Sequence, residues 1–407
     1  MTRTGTSHLA YLECSVCGER HDADRPQNLC ACGAPLLARY DLLALADSLT
    51  PGDLSGRPPS LWRYRELLPV RDPQHITTFG EGMTPLIGLP RLGASLGLSR
   101  LMLKDEGACP TGTFKARGAA VGISRACELG IGRVAMPTNG NAGAAWSAYA
   151  ARAGVDTLVV MPIDAPEVTR RECTVAGARL LLVDGLIGDA GAIVGRAVRD
   201  DGWFDVSTLK EPYRLEGKKT MGLEIFEQLG GRLPDVIIYP AGGGVGLIGI
   251  HKAIGELRAL GWYDGPSPRL VAVQAEGCAP IVRAYDAGES QATAWEGGET
   301  VAFGLNVAKP LGDRLMLAAI AETGGCAIAV ADGQLLEEMR GLGRLEGAFI
   351  CPEGAATVAA ARKLRESGWL APDDEVVLLN TGSGLKYPET VDADPPILQP
   401  GESVPAE

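Results

Sequence analysis

The chain has 407 residues, of which 46% are hydrophobic, and it carries a formal net charge of −12. This length predicts two or three structural units with ample cores, and the negative charge argues against nucleic acid or an anionic membrane as the main partner. Because no apolar run could span a bilayer, the N-terminus lacks an apolar signal core, and ten scattered cysteines make no disulfide scaffold, we expect a cytoplasmic protein.

Two closely spaced cysteine pairs set the first 45 residues apart from the rest of the chain. Cys14 and Cys17 are followed by twelve residues and then by Cys30 and Cys32. Four thiolates at this spacing suit tetrahedral zinc, which would hold together a segment too short for a core of its own. The second pair is C-x-C rather than C-x-x-C, so four reduced and idle cysteines are the alternative. Acidic neighbours argue against a nucleic-acid finger.

A proline- and glycine-rich stretch, residues 46–80, is predicted to wrap the surface as an arm. It leads to G-E-G-M-T-P-L at 80–86, which reads as a glycine-relieved turn before an extended run. A short apolar run, Leu101–Leu103, then precedes the sequence A-C-P-T-G-T-F-K-A-R-G from Ala108 to Gly118.

Lys115 lies in this last sequence, at the point where the pattern of apolar residues becomes helical. In the first turn of a helix, the unpaired N–H groups and the positive end of the dipole disfavour the ammonium form of a lysine. A lysine driven toward neutrality is a nucleophile suited to Schiff-base chemistry. The alternative is a solvated lysine at a helix start.

Strands and helices alternate after this predicted helix, which is typical of βαβ units and a parallel sheet. Strands are expected at 133–136, 156–161, 179–183, 235–239, 269–274 and 376–380, and helices up to 153, at 167–176 and at 187–200. The predicted units are a cysteine-rich segment (1–45), the first part of a large domain (46–119), a small α/β domain (120–212), the rest of the large domain (213–395) and a loose tail (396–407).

A glycine-rich turn, P-A-G-G-G-V-G-L, follows the strand predicted at 235–239 and opens a helix. Backbone N–H groups with no side chains in the way can hold a phosphate on the helix dipole. The residues expected to do so are Gly242, Gly243, Gly244, Val245 and Gly246. The glycine spacing also fits a dinucleotide-binding loop, so a nicotinamide or flavin site and a plain tight turn are alternatives.

Other polar residues follow predicted strands or open predicted helices. Asn139 and Asn141 lie at a strand-to-helix turn, where a short amide can bind a ligand or cap the helix. Thr381 follows the last strand, with Ser383 as the competing candidate. Arg214 is a candidate clamp for an anion, and the alternative is an ion-pair network on a helix surface.

The lysine sequence P-T-G-T-F-K-A-R-G resembles that of the fold type II pyridoxal-phosphate enzymes, and most of all that of the threonine synthases. The sequences G-E-G-M-T-P-L, P-Y-R-L-E-G-K-K-T and T-G-S-G-L-K resemble further segments of this family, over nearly the whole chain. The resemblance implies an α/β fold with two parallel-sheet domains, the coenzyme in the cleft between them, and the N-terminal cysteine knuckle. Relatives of this kind are commonly homodimers.

The resemblance also implies a role for each candidate residue. Lys115 would hold pyridoxal phosphate and then act as the acid-base group, and Gly242 to Gly246 would bind the coenzyme's phosphate. Asn141 would contact the phenolic oxygen of the coenzyme, and the hydroxyl of Thr381 would face its pyridine nitrogen. Contacts to the amino-acid substrate would come from Thr138, Asn139, Arg214 and Lys218.

The activity implied is that of a carbon–oxygen lyase in threonine biosynthesis, which converts O-phospho-L-homoserine and water to L-threonine and phosphate. The chain departs from the family at Ala116, at Thr208 and Leu209, and at Ala142, where polar residues are usual; Lys218 could compensate. The first alternative is therefore β-elimination or β-replacement on a serine-, threonine- or cysteate-like amino acid. A coenzyme-binding regulator or a zinc-ribbon interaction protein is the non-enzymatic alternative.

Overall fold

The computed structural model describes residues 6–404. Its strands are β1 (Leu9–Cys14), β2 (Arg20–His21), β3 (Leu36–Tyr40), β4 (Leu86–Gly88), β5 (Arg100–Asp105), β6 (Arg133–Pro137), β7 (Asp156–Pro162), β8 (Arg179–Val183), β9 (Phe204–Asp205), β10 (Val236–Pro240), β11 (Arg269–Ala275), β12 (Cys326–Val330) and β13 (Glu375–Asn380). Its α-helices are α1 (Leu42–Ala46), α2 (Pro90–Leu96), α3 (Lys115–Glu128), α4 (Asn141–Ala153), α5 (Glu167–Val175), α6 (Ile187–Asp201), α7 (Arg214–Gln228), α8 (Val245–Ala259), α9 (Pro280–Asp286), α10 (Asp313–Glu322), α11 (Asp332–Glu346) and α12 (Pro352–Glu366). Within these described residues, no helix combines the length and the apolar composition needed to cross a membrane.

Two parallel sheets organise most of the chain. The larger has the strand order β12-β11-β10-β13-β5-β4 and is parallel except for β4 at one edge, and the smaller, β8-β7-β6-β9, is wholly parallel. Along β10, Ile237 and Tyr239 enter one hydrophobic core while Val236 and Ile238 enter another. A strand covered on both faces needs apolar residues throughout, and this explains the continuous apolar runs in the sequence. The predicted α/β class with parallel sheets is confirmed.

The second sheet follows the sequence-based expectations closely. β6, β7 and β8 begin at the predicted residues, and so do α5 and α6. Every strand of this sheet lies within residues 120–212, but α3 runs across the predicted boundary at 119 and 120. The division of the chain into domains therefore stays a prediction.

Part of the proline-rich stretch at 46–80 is core rather than surface. Leu61 and Tyr64 are almost fully buried. The indole Nε1 of Trp62 donates a hydrogen bond to Glu81 Oε1 at 2.9 Å, and both side chains are buried. Proline and glycine limit this stretch to short 3-10 turns, but the apolar residues between the turns still pack inward. The prediction of a surface arm is wrong here, because such a composition disfavours long helices without specifying exposure.

The N-terminal segment forms a small antiparallel sheet, β2-β1-β3. Hydrogen bonds connect this segment to the loop that precedes α7. The side-chain amide of Asn28 donates to the backbone oxygens of Asp205 (2.8 Å) and Lys210 (3.1 Å). The hydroxyl of Tyr213 donates to the backbone oxygen of Ala23 at 2.7 Å. The cysteine-rich segment thus supports the loop at 205–213 from outside.

Candidate active site

A cavity of about 670 Å³ is lined by the turns that follow strands of both parallel sheets. Open α/β sheets bind ligands at the carboxyl ends of their strands, and the volume suits a small-molecule site. The predicted coenzyme and substrate residues that line it are Lys115, Thr138, Asn139, Asn141, Arg214, Lys218, Gly242, Gly243, Gly244, Val245 and Thr381. Gly246 is the exception; a Cβ there would lie 2.1 Å from Tyr239 Oη, so its glycine permits packing against β10.

Lys115 is the first residue of α3, as the sequence predicted. The amide of Phe114 donates to the backbone oxygen of Thr381 at 3.0 Å, which fixes this helix start beside the end of β13. Burial, and then the charge of Arg214, lower the pKa of Lys115 to about 8, while Glu353 opposes them. The predicted loss of proton affinity is therefore present, but burial is its largest cause.

The glycine loop joins β10 to α8 and exposes bare peptide groups to the cavity. A Cβ on Gly242 would lie 2.0 Å from the backbone oxygen of Gly304, and a Cβ on Gly244 would lie 2.0 Å from Met316 Sδ. Within residues 6–404, the amides of Gly242, Gly243 and Gly244 donate to no backbone carbonyl. These amides stand before the N-terminus of a 15-residue helix, an arrangement that favours anion binding.

The turn between β6 and α4 carries the predicted polar residues. Thr138 Oγ1 accepts hydrogen bonds from the amides of Gly140 (3.0 Å) and Gly143 (3.4 Å), so this hydroxyl shapes the turn. Asn141 Nδ2 donates to Tyr387 Oη at 2.8 Å, and Asn141 Oδ1 is buried without a hydrogen-bond partner. With Nδ2 bonded to Tyr387, the amide oxygen of Asn141 is left to accept a hydrogen bond from a ligand.

Two buried cations from the start of α7 face the same cavity. Arg214 and Lys218 are one helical turn apart and almost fully buried. Arg214 Nη1 donates to the backbone oxygen of Val206 at 2.7 Å, while its Nε is buried without a partner. Lys218 Nζ donates to the backbone oxygen of Phe114. Burial lowers the pKa of Arg214 to about 10 and lowers that of Lys218 as well.

The structure distinguishes between the two hydroxyl candidates that follow β13. Thr381 lines the cavity, with its Oγ1 3.6 Å from Cys351 Sγ. Ser383 is not among the lining residues, and its hydroxyl instead accepts a hydrogen bond from the amide of Leu385 at 3.2 Å. The geometry therefore favours Thr381.

The positions that depart from the threonine-synthase pattern are not equivalent. Ala142 and Thr208 line the cavity, whereas Leu209 and Ala116 are buried outside its lining. Leu209 has a φ of +61°, a left-handed conformation that is strained for a bulky side chain. Ser207 also faces the cavity and was not singled out from the sequence.

The four predicted metal ligands come together away from this cavity. Cys14 Sγ lies 3.4 Å from Cys32 Sγ, and Cys17 Sγ lies 3.6 Å from Cys30 Sγ. All four sulfur atoms are within 4.8 Å of one another. Sulfur atoms bound tetrahedrally to zinc are about 3.8 Å apart, and a disulfide would require about 2.05 Å. The cluster thus has the dimensions of a four-thiolate metal site.

A lysine of lowered pKa and a glycine loop in one α/β cleft define the class: a fold type II coenzyme-dependent enzyme. The family model described as "Pyridoxal-phosphate dependent enzyme" matches residues 77–382. A threonine synthase of Methanosarcina acetivorans is 37% identical over 94% of this chain and 94% of its own, and one of Methanocaldococcus jannaschii is 35% identical over 92% and 93%. The structure of maize serine racemase shares the fold, with a TM-score of 0.66 and 23% identity over 74% of this chain and 88% of its own. The chain belongs to the family of pyridoxal-phosphate-dependent enzymes.

The residues around the cavity fit this coenzyme. Pyridoxal phosphate carries an aldehyde, a phosphate and an aromatic ring with polar atoms, so its site needs an amine, anion donors and hydrogen-bonding side chains. Lys115 supplies the amine, and the amides of Gly242 to Gly244 are unused by the backbone. The buried and unpartnered Oδ1 of Asn141 marks an unfilled hydrogen-bonding position in the same cavity.

Proposed function

We propose that this enzyme converts O-phospho-L-homoserine and water to L-threonine and phosphate. The observation that carries the proposal is a pair of buried cations, Arg214 and Lys218, in the same cavity as Lys115. Arg214 has a buried Nε without a partner, and an anionic ligand would offset the desolvation of both groups. The relatives named threonine synthase, which cover nearly the whole chain, support the same substrate.

Bound pyridoxal phosphate supplies an electron sink for the negative charge that develops at the Cα of an amino acid. Lys115 would hold the coenzyme covalently, and its amine would then remove and return the proton at substrate Cα. Its pKa of about 8 suits both directions of proton transfer near neutral pH.

The remaining residues of the cavity hold the coenzyme and set its chemistry. The amides of Gly242 to Val245 would bind its phosphate, and Asn141 would hydrogen-bond its phenolic oxygen. The Thr381 hydroxyl would hold the pyridine nitrogen and leave it essentially neutral, whereas a carboxylate would protonate it. This favours elimination and replacement over transamination.

The substrate's phosphate lies against Arg214 and Lys218, and its carboxylate against the turn that contains Thr138 and Asn139. Ser207 and Thr208 line the same cavity, so their hydroxyls could replace the polar groups that are usual near these positions in this family. The alternative is β-elimination or β-replacement on an unphosphorylated amino acid. The presence of Ala142 in the cavity lining favours it. This residue offers the cavity no hydrogen-bonding side chain.

The test is to measure phosphate release from O-phosphohomoserine beside α-keto-acid release from serine, threonine and cysteate. Replacement of Arg214 by alanine removes a charge-assisted hydrogen bond worth about 2 kcal/mol, so the KM for O-phosphohomoserine should rise about 30-fold. The matched control is Arg171→Ala, which breaks an exposed ion pair with Glu167 and should leave KM unchanged. An unchanged KM in Arg214→Ala, with faster turnover of serine or threonine, would favour the alternative.

We also propose that Cys14, Cys17, Cys30 and Cys32 bind a structural zinc ion, supported by the spacing of their sulfur atoms. The ion would fix a segment that has little core of its own and that contacts the loop at 205–213. A homodimer, a cytoplasmic location and the division into a large and a small domain complete the proposal.

A further inference from the structure

Three side chains from three parts of the chain form a line of hydrogen bonds along the cavity wall. Asn141 Nδ2 donates to Tyr387 Oη at 2.8 Å, and Tyr387 Oη donates to Glu353 Oε1 at 2.9 Å. Tyr387 and Glu353 are 2% and 4% exposed, so water cannot replace these bonds. All three residues line the cavity that contains Lys115.

The direction of the hydrogen bonds is fixed by chemistry. Glu353 as a carboxylate can only accept, so the single hydroxyl proton of Tyr387 is directed toward it. The oxygen of Tyr387 is then available to accept the N–H of Asn141. Burial and the charge of Glu353 raise the pKa of Tyr387 well above its usual value, so the hydroxyl keeps its proton. The amide of Asn141 is thereby held in one orientation.

Glu353 also contacts the loop at 303–307, which packs against the glycine loop. Its Oε1 accepts a hydrogen bond from the amide of Gly304 at 2.7 Å. Gly304 in turn packs on the glycine loop, because its backbone oxygen occupies the space that a Cβ on Gly242 would need. One carboxylate in the first turn of α12 thus connects the loop at 303–307, Tyr387 and, through Tyr387, Asn141.

The second oxygen of Glu353 belongs to a side chain that lines a cavity in which cations outnumber carboxylates. Glu353 Oε2 is buried without a partner. The charged side chains that line the cavity comprise the cations Lys115, Arg214, Lys218, Lys309 and Lys386 and the carboxylates Asp189 and Glu353. Lys386 is already paired with Glu172. Cys351 and Tyr387, which border Lys115 and Glu353, have pKa values raised by burial and stay neutral.

We propose that Glu353 and Tyr387 are positioning residues: Tyr387 orients Asn141 toward the coenzyme, and Glu353 anchors Tyr387 and supplies the buried counter-charge to Lys115. The proposal rests on coenzyme binding at Lys115 and Asn141 and is independent of which amino acid is the substrate. In agreement with it, the charge of Glu353 acts to raise the pKa of Lys115 against burial and Arg214.

The first experiment measures the visible absorbance of the coenzyme-loaded enzyme as a function of pH. Glu353→Gln keeps the shape of the side chain but removes its charge, so the protonated nitrogen at Lys115 loses a favourable neighbour. The midpoint of the absorbance change should move to lower pH by about one unit, the low end of the shift that a neighbouring opposite charge produces. Glu353→Asp, which keeps the charge, should return the midpoint toward that of the wild type.

The second experiment measures the dissociation constant of the coenzyme by titration of the coenzyme-free protein. Tyr387→Phe removes one hydroxyl from the line and releases the Asn141 amide, so the constant should rise about tenfold. The matched controls are Glu338→Gln, a buried carboxylate that pairs with Arg362 outside the cavity, and Tyr263→Phe. Both controls should match the wild type in midpoint and affinity.

Thermal melting of each coenzyme-free variant separates positioning from folding. If Glu353→Gln does not fold, Glu353→Asp and Tyr387→Phe still carry the test. Wild-type midpoints in the Glu353 variants together with wild-type affinity in Tyr387→Phe would overturn the proposal. Neither measurement uses a substrate, so these results can be interpreted even if the enzyme does not catalyse the threonine-synthase reaction.

Discussion

Lys115 shows how the environment of one residue changes its chemistry. With a pKa of about 8, roughly a tenth of Lys115 is neutral at pH 7, compared with about one part in 3,000 for an ordinary lysine. Only the neutral amine is a nucleophile, so burial raises the reactive fraction by more than two orders of magnitude. Complete neutrality would be less useful, because the same group must also donate a proton, and Glu353 limits the shift.

The rate of covalent coenzyme attachment should therefore rise with pH through a midpoint near 8, as Lys115 loses its proton. The measurement is the growth of visible absorbance after pyridoxal phosphate is mixed with coenzyme-free protein between about pH 6.5 and 9.5. The control, Lys363→Met, alters a half-exposed lysine on α12 that lies outside the cavity and should not move the midpoint. A midpoint near that of an ordinary lysine would contradict the assignment of burial as the cause.

The same shift fixes the sign of a stability effect. Between about pH 8 and 10.5, Lys115 binds fewer protons in the folded coenzyme-free protein than in the unfolded chain. Stability rises with pH wherever the unfolded chain binds more protons, so this group's unfavourable contribution is fully present below pH 8 and is relieved across that window.

Single residues differed in how far the sequence could reveal them. Lys115 and the glycine loop were predictable because their signals lie in adjacent residues: small side chains, a turn and a helix start. Tyr387 and Glu353 were not, because their role depends on contacts across the fold. Asn141 and Tyr387 are 246 positions apart in the chain, and no local pattern connects them.

Among the elements, strands covered on both faces were the easiest to predict. β8 lies at 179–183, as expected, and β10 is displaced from its predicted range by one residue. Their apolar runs are long enough to define a strand without reference to the rest of the chain. The stretch at 46–80 was misjudged because its burial depends on partners such as Glu81, which no composition reveals.

The cysteine knuckle gives the prediction at this scale. Replacement of Cys14 and Cys30 by alanine should abolish zinc binding and lower the melting temperature by about 5 °C, since bound metal contributes folding free energy directly. Zinc content by atomic spectroscopy and melting followed by circular dichroism are the measurements. Cys127→Ala, which alters a half-buried thiol outside the cluster, is the control. Wild-type protein that contains no metal would contradict the proposal.

A loss of metal should also reach the active site. Asn28 lies between the two cysteine pairs and donates to backbone oxygens on both sides of Ser207 and Thr208, which line the cavity. The KM for substrate should therefore rise more than kcat falls in the double cysteine variant. A lower apparent kcat with an unchanged KM would indicate a loss of folded protein instead.

At the scale of the whole molecule, two contacts beside the cavity join helices that follow strands of the smaller sheet to the segment that follows β13. Asn141 at the start of α4 reaches Tyr387 beyond β13, and Glu172 on α5 pairs with Lys386. The coenzyme's proposed ligands are divided in the same way, with Asn141 on one side and Lys115, the glycine loop and Thr381 on the other. Bound coenzyme would therefore connect the same two parts of the protein.

Inorganic phosphate alone should raise the melting temperature of the coenzyme-free protein. The anion site at the glycine loop and the cations Lys115, Arg214 and Lys218 would all gain a partner, and a ligand at a hundred times its Kd adds about 2.7 kcal/mol of stability. The comparison is melting in phosphate and in chloride at equal ionic strength. Arg214→Ala should lose part of the gain, and an identical melting temperature in both salts would contradict the expectation.

The buried pair of cations has a consequence beyond catalysis. Arg214 and Lys218 are buried in the cavity that contains Lys115, and the charge of Arg214 disfavours the protonated forms of both lysines, so the folded chain alone is not at its electrostatic optimum. An anion bound in this cavity should raise the melting temperature, and the same charges should attract phosphorylated molecules. Buffer composition should therefore affect both the stability of the protein and its affinity for phosphorylated ligands.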